Sequence, residues 1–246
     1  MSKQSEMQAL TGKQVIVLGG SSGIGLATAT AAAAAGAQVT IVAGNRERID
    51  QALKVLPANA AGHAVNLGDE EAIRQFFATA GNFDHLVYTA GEHLSLGNIS
   101  DTEIAAARKF FNIRYWGALA TVKYAASHIL PGGSINLIGG IASPRPGKGW
   151  AVAASICAAM EGFTRAMAVE LAPVRVNLVS PGVVRTNLWN NMPAADCEQL
   201  YTAVANSLPV KRTGEAADIA LSYIYLMQQQ FATGQVLVVD GGAVLV

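Results

Sequence analysis

The chain has 246 residues, 51% hydrophobic and 14% charged, with 17 basic and 17 acidic side chains and a formal net charge of zero. This excludes disorder as the main state, and it leaves no basic field for nucleic acid and no polybasic segment for an anionic membrane. The two cysteines, Cys157 and Cys197, lack ligand-like spacing, so no disulfide framework or metal site is expected and a cytoplasmic setting follows.

In chain order, the first dozen residues through Gly12 are polar and mixed in charge, which predicts no leader peptide. No charge occurs between Lys13 and Arg46. A membrane span would need about 20 strongly apolar residues. This stretch instead carries Gly19, Gly20, Gly23, Gly25 and Gly36 among others and a run of alanines, and reads as strand, glycine turn, small-residue helix, strand. Strands are predicted at Gln14–Leu18, Gln38–Val42, Ala61–Val65, His85–Tyr88, Ser134–Ile138, Arg175–Val179 and Val236–Val239, with helix-length segments between most of them. Runs such as VIVL and VLVV are continuously apolar, as burial on both faces requires. The expectation is one α/β domain over 1–246: a doubly wound parallel sheet of about seven strands with helices on both faces.

Gly19, Gly23 and Gly25 fall where the first strand turns into a helix. Glycine permits positive φ there, and bare backbone N–H groups at a helix N-terminus suit a pyrophosphate. Gly19-Gly20-Ser21-Ser22-Gly23 also satisfies G-x-S-x-G, the nucleophile elbow of serine hydrolases. That alternative lacks a late histidine, the last being His128. No acid stands at the end of the second strand to take ribose hydroxyls. Asn45 and Arg46 could receive a 2′-phosphate there, with Ser21 or Ser22 adding a hydroxyl, which favours NADP(H) while leaving NAD(H) possible; an exposed Arg46 paired with Glu47 or Asp50 is the rival reading.

With these motifs in place the chain resembles the short-chain dehydrogenase/reductase family over essentially its whole length. The glycine motif matches Leu18-Gly19-Gly20-Ser21-Ser22-Gly23-Ile24-Gly25; the motif after the fourth strand matches Tyr88-Thr89-Ala90-Gly91, with both of its asparagines lost. Asn66-Leu67 matches the pair near the adenine, Asn112 the helix asparagine, and Pro181-Gly182-Val183-Val184-Arg185-Thr186 the segment that clasps the nicotinamide end. The resemblance therefore implies Gly19, Ser21, Ser22, Gly23, Ile24, Gly25, Asn45, Arg46, Asn66, Leu67, Ala90, Gly91, Pro181, Gly182, Val184 and Thr186 as cofactor residues. It also implies a small-molecule substrate and a homo-oligomer, dimer or tetramer.

The family's catalytic Ser and Tyr-x-x-x-Lys are replaced. Gly140 stands at the Ser position, with Gly139 an alternative, Ala153 at Tyr and Cys157 at Lys. Losing a positioned proton donor costs about 10²–10⁴-fold in rate. Asn112 remains, and His93, on the loop beyond the fourth strand, is a candidate to face the substrate or a solvated loop residue. Arg145, Lys148 and Trp150 precede the altered helix and could meet an anionic or aromatic ligand. The expected function is an NADP(H)-linked oxidoreductase whose reduction of a carbonyl or imine runs without the usual residues. The alternatives are a nucleotide-binding protein without turnover and a serine hydrolase.

Overall fold

The computed structural model describes residues 10–94 and 96–246. The leader expectation falls mostly on residues 1–9, outside the described residues. The uncharged stretch opens on β1 (Gln14–Leu18), turns through glycines into α1 (Gly23–Ala34), and returns as β2 (Gln38–Ala43). Then follow α2 (Arg46–Leu53), β3 (Ala61–Ala64), α3 (Glu70–Ala80), β4 (Phe83–Tyr88), α4 (Ile104–Phe110), a π-helical turn (Asn112–Gly117), α5 (Ala118–Ala125) and β5 (Ile129–Ile138). The last third holds α6 (Ala151–Glu170), β6 (Arg175–Pro181), the short β7 (Val184–Arg185), α7 (Ala194–Ser207), β8 (Gly214–Glu215), α8 (Ala216–Gln228) and β9 (Val236–Val239).

Among the described residues, seven strands form one parallel sheet in the order β3-β2-β1-β4-β5-β6-β9. The order reverses beside β1, which opens a crevice at the carboxyl ends of β1 and β4. Alternation along β1 explains its unbroken apolar run. Ile16 and Leu18 enter a core with Phe77, Phe83, Leu137 and Met160, while Val15 and Val17 enter the opposite one with Ala29, Ile41, Tyr223 and Leu226. Alanines let α1 lie close to the sheet and to α8.

Two differences from the sequence expectation are local. β5 starts at Ile129 rather than Ser134, because Phe83 pairs with Ile129 and the register then slips so that His85 meets Ser134. The intervening glycines, Gly132 and Gly133, hide this strand from any apolar pattern. β7 and β8 pair as a separate two-residue ladder that was not expected. α6 is long and apolar enough to cross a membrane by length and composition. Here it lies on β5 and β6, burying Ala153, Ile156, Met160 and Thr164.

Beneath the sheet's other end sits a polar set. Asp84 accepts from Lys13 Nζ at 2.8 Å and from the Gln14 N–H at 2.9 Å, and His85 Nδ1 lies 2.9 Å from Ser134 Oγ. Asn136 Nδ2 donates to the same hydroxyl at 2.9 Å.

Candidate active site

Gly19 leaves β1 with φ of +84°, and a Cβ there would lie 2.6 Å from the Ala90 nitrogen. A Cβ on Gly25 would lie 2.5 Å from Thr89 Oγ1 and closer still to the Gly19 carbonyl oxygen. These two positions accept hydrogen alone. Ser22 precedes α1 without a side-chain cap, and the first turn carries no acid. The helix therefore presents its N–H groups and partial positive charge to a cleft of about 290 Å³. Ser21, Ser22, Gly23 and Ile24 line that cleft, as do Asn66, Leu67, Ala90, Gly91 and Thr186. Such a cradle fits a dinucleotide: pyrophosphate on the glycine turn, adenine toward Asn66 and Leu67, the far end toward Thr186.

At the end of β2 the structure corrects two residues. Arg46 pairs with Asp50 at 2.8 Å on the solvent side of α2 and does not line the cleft. Asn45 is occupied as the cap of α2, its Oδ1 accepting from the Arg48 N–H at 2.8 Å. Arg48 takes their place at the cleft, beside Gly44 and across from Ser21 and Ser22. Residues 46 and 50 share one helix face, and residue 48 points elsewhere; the exposed Arg46–Asp50 pairing is the rival reading that the sequence offered.

A second, smaller cavity of about 120 Å³ adjoins the first, with Arg114 and Leu188 lining both. Gly140, Ala153 and Cys157 meet in it; a Cβ on Gly140 would lie 3.2 Å from Cys157 Sγ. The three positions aligned with the family's catalytic set thus share one cavity. Gly139, Pro181 and Gly182 also line this cavity, and Phe110, Trp150 and Trp189 supply aromatic walls. Burial pushes the Cys157 thiol up to about 11, so it stays protonated near neutral pH.

Other expectations part company with the geometry. Asn112 faces away from both cavities, with its Nδ2 3.4 Å from the Gly68 carbonyl, and cannot serve there. Val184 is buried in β7, its carbonyl accepting from Trp189 Nε1 at 3.0 Å, and it is Val183 that reaches the apolar cavity. His93 is exposed on the rim of the first cleft. Trp150 is at the site, whereas Arg145 lines a different depression and Lys148 lines neither cavity.

Arg114 is the residue that sequence reasoning missed. It lies in the π-helical turn, whose wider winding breaks the 3.6-residue period and re-aims side chains. Its guanidinium lies 4.8 Å over Phe110, and its Nη2 donates to the Glu92 carbonyl. Its Nε lies 3.8 Å from Glu92 Oε2. Glu92 in turn accepts the Ile113 N–H at 2.6 Å, and the buried Tyr88 hydroxyl donates to the Ile113 carbonyl at 2.6 Å. Gly91 makes room, since a Cβ there would lie 2.8 Å from Arg114 Cζ. Burial lowers the Arg114 pKa while the Glu92 carboxylate raises it, and a guanidinium keeps its proton through such shifts.

A parallel sheet with this reversal and this glycine cradle defines a dinucleotide-binding Rossmann-type protein. The family profile described as enoyl-(acyl carrier protein) reductase matches residues 19–244. The chain is 32% identical over 254 residues to the short-chain dehydrogenase/reductase ATR9 of Stachybotrys chlorohalonatus, covering 97% of this chain and 100% of that one. A small-chain dehydrogenase solved in complex with NADPH is 35% identical, covers 95% of this chain and is covered to 99%, with a TM-score of 0.85. The MalC reductase/Diels-Alderase of Malbranchea aurantiaca superposes with a TM-score of 0.90 at 27% identity, over 98% of this chain and 100% of that one. The chain belongs to the short-chain dehydrogenase/reductase family of nicotinamide-dependent oxidoreductases. The hydrolase alternative falls with that assignment, and Ser21 belongs to the dinucleotide cleft.

Proposed function

We propose that the protein is an NADP(H)-preferring oxidoreductase for an apolar compound whose carbonyl is activated, unlike that of a simple ketone. The observation that carries this is the pairing of a glycine-cradled cleft, with Arg48 at its ribose end, to an apolar cavity at its other end. The similar structure holding NADPH supports the cofactor preference. When bound, the nicotinamide supplies the hydride chemistry. The chain's own residues then do the rest. The α1 N-terminus and Arg48 hold phosphate charge, Thr186 and the Pro181-Gly182 turn bound the reacting end, and the aromatic walls exclude water.

The test is a titration of NADPH and NADH against wild type and Arg48→Ala. An exposed charge-assisted contact is worth about 1.5 kcal/mol, so NADPH should lose roughly tenfold in affinity and NADH almost nothing. Equal wild-type affinities for the two nucleotides would reject the preference, and an unaffected Arg48→Ala would reject the anchor. Wild type with NADPH should also leave a simple ketone such as cyclohexanone untouched.

We also infer a homo-oligomer, with a tetramer expected. Trp116, Val169, Phe231 and Leu245 are 57%, 80%, 97% and 80% exposed, more bulky apolar surface than a monomer comfortably presents. Light scattering that returns a monomer at micromolar concentration overturns this.

A further inference from the structure

We infer that Arg114, held in place by Glu92, receives the substrate's oxygen, and that the substrate is a conjugated carbonyl compound whose reduced form is a delocalised oxyanion of the enolate or phenolate class. The inference rests on the dinucleotide reading of the adjoining cleft.

Three observations carry it. Arg114 is the one charged side chain among the described residues lining the apolar cavity, and Cys157 is the only other titratable one. Arg114 also lines the dinucleotide cleft, so it stands where the two contents meet. Finally, the buried Glu92 Oε2 faces its Nε at 3.8 Å, an ion pair that holds the guanidinium in place at the cavity. An oxygen anion against a guanidinium fixed in this way makes charge-assisted hydrogen bonds to it.

The chemistry then limits the substrate. A carbonyl compound taking up a hydride at carbon, from a reduced nicotinamide dinucleotide, moves the C=O electron pair onto oxygen. Guanidinium stabilises the resulting negative charge but keeps its own proton. The Cys157 thiol is held by the Ala142 N–H and lies on the Gly140 side of the cavity. A simple ketone would become an alkoxide, far too basic to form without a donor in the transition state. A quinone or an unsaturated β-dicarbonyl compound takes the hydride at its conjugated β-carbon instead. The new C–H bond forms there, the C=C pair shifts toward the carbonyl carbon, and the C=O pair moves to oxygen. The anion is comparable in basicity to a phenolate, near pKa 10 or below. Such an anion needs no proton until release, when water provides it. Flat conjugated rings also suit walls made of Phe110, Trp150 and Trp189.

The experiment uses para-nitrophenol as a stand-in for the oxyanion. It is titrated with pH in the presence of wild-type protein saturated with oxidised NADP, following the phenolate absorbance. The bound probe should ionise about one pH unit lower than the free probe, a tenfold preference for the anion. Arg114→Gln should abolish that shift, and Arg114→Lys should restore part of it, as a point cation without the planar fork. With NADPH, wild type should reduce a naphthoquinone while Arg114→Gln loses about 10²-fold in kcat/KM. Fluorescence titration should show NADPH still bound by Arg114→Gln.

A bound probe with an unshifted or raised pKa overturns the proposal from wild type alone, whether or not the variants fold. So does a shift that survives Arg114→Gln, or quinone turnover that depends on Cys157 and not on Arg114, which would hand the role to the thiol. Failure of wild type to bind NADPH at all is a different result, and removes the dinucleotide reading beneath it.

Discussion

Gly25→Ala is expected to lose NADPH binding by at least about a hundredfold and to lower thermal stability. The added methyl would press on the Gly19 carbonyl and on Thr89 Oγ1 at 2.5 Å. Those atoms are not loose ends. Gly19 donates its N–H to the Val42 carbonyl at 2.8 Å, and Thr89 donates both its N–H and its hydroxyl to Leu18 at 2.8 and 3.0 Å. The backbone of the turn must therefore open, which carries the α1 N-terminus off the line on which it meets a pyrophosphate. Overpacking of this kind costs about 1–3 kcal/mol of stability. The loss of binding is larger, because two roughly placed phosphate oxygens forfeit several charge-assisted bonds together. Calorimetric titration reads the first effect and a melting curve the second. Wild-type affinity in Gly25→Ala would show that the nucleotide is held elsewhere.

The second large effect is a loss of stability in mild acid. Burial holds the His85 pKa down from the usual 6.5 to about 4; the Asp84 carboxylate opposes this, while Arg175 and Lys13 add to it. The unfolded chain takes up a proton on this imidazole as pH falls below 6.5, whereas the folded chain refuses it until about 4. Protonation thus favours the unfolded state across that window, and stability present at pH 7 is progressively lost between them. His85 is 3% exposed, so solvent screening takes little away, and the loss should approach roughly 3 kcal/mol. Urea unfolding at pH 7 and pH 4.5 measures it. His85→Gln keeps a side chain able to bond Ser134 but does not titrate, and should flatten the dependence. An equally steep dependence in that variant would assign the acid sensitivity to other groups.

What could be read without coordinates follows from how locally each feature is determined. β1 was legible because both faces of the sheet are buried there, whereas the equally apolar β9 lies at the sheet edge with Val238 exposed, against the expectation of burial on both faces. The glycine turn was legible because only glycine fits it. Gly140, Ala153 and Cys157, aligned with the family's catalytic set by spacing along one strand and one helix, line one cavity. Arg46 was named for the phosphate with its pairing to Asp50 as the rival, and the structure shows that pairing; Arg48, two residues on and on another face of α2, was not considered. Val184 stood in for Val183 because the β7–β8 ladder turns it inward. Asn112 was named because it matches the family's helix asparagine, and no motif pointed to Arg114, which the π turn aims into the site.

That turn also says something about descent. A widened helical turn leaves backbone groups to be satisfied from outside, and here Ile113 is gripped on both sides: Glu92 takes its N–H and Tyr88 reaches its carbonyl. Gly117 keeps the space for the tyrosine hydroxyl, which would lie 2.7 Å from a Cβ at that position. Tyr88, Glu92, Arg114 and Gly117 are thus one heritable unit spread over three segments. A lineage that gained the arginine without its supports would carry an unbraced turn and an uncompensated cation. Among relatives, these four positions should therefore change together or not at all, and their joint presence should mark out a clade more sharply than overall identity does.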